Sequence, residues 1–148
     1  MDLDRYDRRI LAELQRDGRI SNVELSQAVT LSESACLRRV RALEKAGYIE
    51  GYVAVLDQKR LGRSGTVFVH IALRREEQSE LAAFEQAVQR IPEIMECYLR
   101  TGEFVYILKL VVADMADFER LHNDALTRLP GVSRINSSIA IRAIRRTT

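Results

Sequence analysis

Between Leu31 and Gly47 the chain reads LSESACLRRVRALEKAG, and at about 100° of turn per residue this run sorts its side chains by chemistry. Cys36, Val40 and Leu43 fall on one stripe, while Ser34, Arg38, Arg41 and Lys45 gather on the opposite side. A row of guanidinium and ammonium groups neutralises phosphate. An arginine near the start of such a helix is also suited to reading guanine through paired hydrogen bonds to O6 and N7. The competing interpretation is the solvated back of an ordinary amphipathic helix, and the basic residues alone do not separate the two.

The flanking elements do separate them. Ser32 is placed to cap this helix and Gly47 to end it in a left-handed conformation. Upstream, Asp4 and Asp7 stand where a helix N-terminus favours negative charge, Tyr6, Ile10, Leu11 and Leu14 recur at helical spacing, and Gly18 stops the run. Ser21-Asn22-Val23-Glu24 is a capping-box pattern opening a second helix through Leu25, Ala28 and Val29. Only Thr30 and Leu31 lie before the next cap, a connection short enough to force a sharp angle between helices. Three compact helices exposing a basic third one have the shape of a helix-turn-helix that enters a major groove. The expected DNA contact set is Arg19, Ser32, Ser34, Arg38, Arg39, Arg41 and Lys45. Arg39, Lys45 and Arg19 are expected on phosphates, and Ser34 and Arg38, followed by Arg41, near base edges.

Tyr48 to Leu56, YIEGYVAVL, is β-branched and aromatic and reads as a strand leaving this head. Asp57 to Gly65, DQKRLGRSG, is the most loop-like stretch. The order of signals then changes: a strand over Thr66 to Leu73, a helix over Ser79 to Arg90 stopped before Pro92, strands over Ile94 to Leu99 and Phe104 to Val112, a helix from the Asp114 cap to Leu129, and a strand from Val132 to Ile144. That is β-α-β-β-α-β. The expected fold is therefore α+β, an N-terminal helix-turn-helix (winged-helix-like) domain followed by a ferredoxin-like sandwich with both helices on one sheet face. The predicted division is 1–50 for the DNA-binding head, 51–65 for a connecting strand and linker, and 66–148 for the second domain. Because Phe104-Val105-Tyr106-Ile107-Leu108 is apolar on both alternating faces, the uncovered sheet face calls for a partner subunit.

Composition narrows the remaining classes. With 148 residues, 47% of them hydrophobic, the chain can bury a core, and a formal net charge of +2 confines any DNA affinity to local placement or to several copies acting together. No apolar run approaches the roughly 20 residues that span a bilayer, and the opening MDLDRYDRR lacks a signal-peptide core, so a cytoplasmic protein without membrane contact is expected. Cys36 and Cys97 form no CxxC pair, and Cys36 reads as a small apolar packer. His70 and His122 have neither a patterned nucleophile nor metal spacing, and Glu96 and Glu103, which could meet across the hairpin, are a poor catalytic pair. No catalytic residue, metal or cofactor is expected.

The segments Leu3-Asp4 with Asp7 and Ile10-Leu11, Asp17-Gly18-Arg19-Ile20, Leu31-Ser32 through Arg39, Leu43-Glu44, Gly47-Tyr48-Ile49 to Tyr52, Leu61-Gly62, Thr101-Gly102 and Leu129-Pro130-Gly131 occur in one collinear order over nearly the whole chain. In that order the chain resembles the Lrp/AsnC, or feast/famine, transcription regulators. The resemblance implies a sequence-specific regulator on double-stranded DNA. It implies a second domain that dimerises through its sheet, assembles to tetramers or octamers, and binds a small effector, an amino acid, between subunits. It assigns Thr101, Gly102, Glu103, Tyr106, Ser137 and Ser138 to that effector, with Thr101-Gly102 offering a hydroxyl and free amides to a carboxylate. Read without the family, Thr101-Gly102 is an ordinary hairpin turn and the serines are exposed strand residues. The alternative within the family is an architectural DNA-compacting protein with little sequence preference or no effector. Two departures stand out: Thr30 replaces the glycine common before the recognition helix, and Val105 occupies the acidic position of the usual Thr-Gly-x-x-Asp-Tyr hairpin, with Glu103 the nearest substitute carboxylate.

Overall fold

A computed structural model describes residues 2–147. The residues up to Val55, with Arg146 and Thr147, group into one compact unit, and Leu56–Arg145 form the second.

The first unit holds helices α1 (Arg5–Arg16), α2 (Asn22–Val29) and α3 (Glu33–Lys45). Each opens on the side chain expected to cap it: Asp4 accepts from Tyr6 and Asp7 amides, Ser21 from Glu24, and Ser32 from Ala35. In the first two the bond is reciprocated, with Asp7 accepting from the Asp4 amide at 3.1 Å and Glu24 from the Ser21 amide at 3.1 Å, so both are capping boxes. Ile10, Leu25, Val29, Cys36 and Leu43 form the buried core that fixes the three helices against each other. Gly47, at φ 78°, ends α3 with its amide on Glu44 O at 3.0 Å and the Tyr48 amide on Leu43 O at 3.0 Å, the two bonds of a Schellman closure.

The second unit is a four-stranded antiparallel sheet in the order β2 (Ile94–Leu99), β3 (Tyr106–Val112), β1 (Gly65–Leu73), β4 (Val132–Ile139), with α4 (Gln78–Val88) and α5 (Met115–Asp124) as its helices. Alternation in β1 and β3 sends Val67, Val69, Ile71, Tyr106, Leu108 and Leu110 to the face where Phe84, Val88 and Leu121 from the helices complete the core. Phe68, His70, Ile107, Lys109 and Tyr98 take the other face, opposite the one that α4 and α5 pack against. The helix expected to reach Leu129 instead breaks at Ala125 into a 3-10 turn, Leu126–Arg128. The last strand ends at Ile139 rather than Ile144.

One expected element is corrected. Tyr48 to Leu56 is not a strand: it makes no ladder with any described residue, and Val53 is 86% exposed. Its composition suits a strand, but a ladder needs a second backbone alongside it, and none is supplied among the described residues. No helix among the described residues is long and apolar enough to cross a membrane.

Candidate DNA-binding helix and effector groove

On α3 the two faces are as unequal as the spacing predicts. Cys36 and Leu43 are fully buried, and burial raises the Cys36 thiol above its ordinary range, so it packs rather than reacts. Ser34, Arg38, Arg41 and Lys45 are exposed, and Arg38, Arg41 and Lys45 carry no ion pair or hydrogen bond among the described residues. The result is a cationic row at helical spacing with its charges uncompensated. Ser32 is occupied as the cap, its hydroxyl 3.4 Å from that of Ser34. The Arg19 side chain is exposed, while its amide donates to Asp17 Oδ1 at 2.9 Å.

Arg39 departs from the expected set. Its Nη1 donates to both Asp4 Oδ2 and Asp7 Oδ1 at 2.8 Å, and its guanidinium lies 5.4 Å from the Tyr6 ring centroid. The two aspartates raise its pKa, led by Asp7. The Asp7 amide and then Arg39 hold the Asp4 carboxyl below its usual range. Arg39 thus ties α3 to the start of α1, and its charge is already matched. Asp4 and Asp7 were recognisable as helix-start acids, but their partner, more than 30 positions on, had no local signal.

In the second unit the expected effector residues fall in three places. Thr101 and Gly102 are exposed at the tip of the β2–β3 hairpin, where Gly102 has φ 112°. Beside them Glu103 pairs with Arg134, whose guanidinium lies 5.2 Å over the Phe104 ring, and Arg100 Nη1 is 3.1 Å from His70 Nδ1. Tyr106 belongs to the core instead: it stacks on Phe84 at 4.3 Å and donates its hydroxyl to Glu85 Oε1 at 2.6 Å, and burial with that carboxylate raises its pKa. Ser137 lies opposite Val69 on the helix side, whereas Ser138 lies opposite Phe68 on the uncovered side. Glu96 and Glu103 do not meet, since Glu96 is taken by Lys109 Nζ at 2.9 Å. Val105 is 4% exposed, so a carboxylate at its position would be buried in this fold.

Ser137 also borders a groove of about 620 Å³ between α5 and β4, with Met115, Phe118, Glu119, His122 and Ile135. Its apolar wall of Met115, Phe118 and Ile135, with one carboxylate, one imidazole and one hydroxyl, matches the usual composition of a small-molecule site. Sequence reading missed the α5 side of it. The signal was the spacing of Met115, Phe118, Glu119 and His122 on one helix stripe.

Comparison with known proteins matches two stretches of the chain. Residues 3–50 match the winged helix-turn-helix DNA-binding model, and residues 66–148 match the Lrp/AsnC ligand binding domain. The leucine-responsive regulatory proteins of Klebsiella pneumoniae and Escherichia coli are 48% identical over 144 residues, covering 97% of this chain and 88% of each relative. A transcriptional regulator of Neisseria meningitidis, solved as its complex with L-methionine, superposes with a TM-score of 0.95 at 36% identity over 99% of this chain and 95% of its own. An AsnC family regulator from Agrobacterium tumefaciens gives a TM-score of 0.94 at 32% identity, over 99% and 95% of the respective chains. With a three-helix head exposing a basic third helix and a βαββαβ domain behind it, this chain belongs to the Lrp/AsnC family of DNA-binding transcription regulators.

Proposed function

We propose that the protein is a sequence-specific regulator that reads duplex DNA with α3 and answers to an amino acid bound in its second domain. The observation that carries the first part is the unpaired, exposed row of Arg38, Arg41 and Lys45 opposite a fully buried stripe on the same helix. In this reading Arg38 and Arg41 take base edges, with Ser34 beside them, and Lys45 and Arg19 take phosphates. Residues 1–50 act as the reading head, 51–65 as the connection, and 66–148 as the effector and assembly domain, all in the cytoplasm.

The assembly is a homodimer built on the helix-free sheet face, going on to tetramers or octamers. Phe68, Ile107 and Tyr98 on that face, with the exposed Val53, Val55 and Leu56, are the apolar surfaces it would cover. The effector groove is the α5–β4 cleft, where Met115, Phe118 and Ile135 accept an apolar side chain, Glu119 faces the ammonium group, and Ser137 hydrogen-bonds the carboxylate. The Thr101-Gly102 turn of a neighbouring subunit supplies further donors. The methionine complex of the Neisseria relative supports an amino acid as the effector class.

Two measurements test the reading. Titrations of the duplex upstream of the protein's own coding sequence and of random duplex, at matched salt, should differ by about 10³-fold or more for a specific regulator. Equal affinity would assign an architectural, DNA-compacting role instead. A thermal-shift screen against the twenty amino acids should raise the melting temperature with a small apolar subset, in a concentration-dependent way. No shift with any of them would remove the effector.

A further inference from the structure

After β4 the chain reads Ala140-Ile141-Arg142-Ala143-Ile144-Arg145-Arg146-Thr147, outside any helix or strand. It follows the sheet for one more residue, the Ala140 amide donating to Thr66 O at 2.9 Å, and then leaves it. Ile141 is 97% exposed and Ile144 78%, so the segment is not packed onto the domain that carries it. Arg142, Arg145 and Arg146 are exposed and make no ion pair or hydrogen bond among the described residues.

Elsewhere several cations are matched by carboxylates. Arg39 is matched by Asp4 and Asp7, Arg63 and Arg120 by Asp117, Lys109 by Glu96, and Arg134 by Glu103. No Asp or Glu follows Asp124, and these three arginines alone exceed the formal net charge of +2 of the whole chain. The remaining residues are, taken together, slightly acidic, so this segment carries a local excess of positive charge with no carboxylate in its own stretch of chain.

We propose that Arg142, Arg145 and Arg146 form a second, sequence-blind contact to the phosphates of the duplex that α3 reads. The inference rests on the DNA-binding reading of α3. Guanidinium groups stay charged and grip phosphate oxygens in pairs, and duplex DNA presents one charge per about 1.7 Å of axis. An irregular segment follows a backbone of that density without paying to break internal structure. Being part of a chain already held on the duplex by α3, it binds at raised effective concentration even though three arginines are weak alone. Two isoleucines are too few to anchor it in a bilayer.

The test uses the full chain with Arg142→Gln, Arg145→Gln and Arg146→Gln combined, which touches no packed residue. The slope of log affinity against log salt should flatten by about 0.9 for each phosphate released, or up to about 3 per subunit. The loss should be equal on cognate and random duplex, leaving their ratio unchanged. An unchanged slope overturns the proposal, as does a loss confined to cognate DNA. A changed assembly size by sedimentation would make the segment a subunit contact and overturn it as well. Binding of the wild type alone to phosphatidylcholine vesicles containing phosphatidylglycerol, with the DNA slope unchanged, would assign the segment to lipid and also overturn it. Arg38→Ala is measured in parallel. If it weakens cognate binding while the triple variant has no effect, only this proposal fails. If neither variant alters DNA binding, the reading of α3 fails with it.

Discussion

Arg39 Nη1 and Asp7 Oδ1 lie 2.8 Å apart, joining α3 to the first turn of α1 across 32 positions of sequence. The Asp7 side chain is 4% exposed and Arg39 is half-buried, so the pair is drier than a surface bridge and its loss strands a charge. Arg39→Ala is expected to destabilise the first unit by about 2 kcal/mol, below the range for a fully buried pair because Arg39 retains some solvent. Chemical denaturation checks this, and a change under about 0.5 kcal/mol would make the contact an ordinary surface pair.

Thr30 closes α2 at φ 59°, the only left-handed non-glycine among the described residues. A β-branched residue pays for that conformation, and the bond from its hydroxyl to Val29 O at 2.7 Å offsets part of it. Thr30→Gly should stabilise the head by about 0.5–1 kcal/mol, the relief of strain exceeding the added entropy of the unfolded chain. A fall in melting temperature would mean that the hydroxyl bond outweighs the strain.

The acid limb of the stability curve follows from Asp4. Its carboxyl is lowered from 3.8 by the Asp7 amide first and by Arg39 after it. A group whose folded pKa is depressed contributes fully above its unfolded value and loses that contribution as pH falls through the folded one. The first unit should therefore lose stability as pH drops below about 4, and Asp4→Asn, less stable at neutral pH, should show a shallower loss there. Parallel acid profiles for the two proteins would contradict this origin.

Tyr106 hydrogen-bonds Glu85 from inside the core of the second unit. Tyr106→Phe should cost about 1 kcal/mol in that unit and leave amino-acid binding unchanged. Ser137→Ala, by contrast, should weaken effector binding at little cost in stability, since Ser137 is exposed on the groove. Calorimetric titration separates the two, and a binding loss with Tyr106→Phe would return that residue to the effector site.

The local features of this fold were readable in the sequence. Three helix caps, the α3 stripe, the Gly47 stop and the βαββαβ order all depend on residues within a few positions of one another. What was not readable depends on distant partners. Arg39 looked like a phosphate contact until Asp4 and Asp7 came to it. Ser137 and Ser138 looked like one patch until the pleat sent them to opposite faces. Tyr48 to Leu56 has strand chemistry but forms no ladder among the described residues. The groove needed α5 and β4 side by side before its residues could be seen as one lining.

The measurement that bears most directly on the function is the affinity of Arg38→Ala for cognate and for random duplex at one salt concentration. With Arg38 on a base edge, cognate binding weakens by about 1–3 kcal/mol, random binding changes little, and preference at one base position relaxes. Cognate affinity unchanged from wild type would contradict the account of α3 as the reading helix.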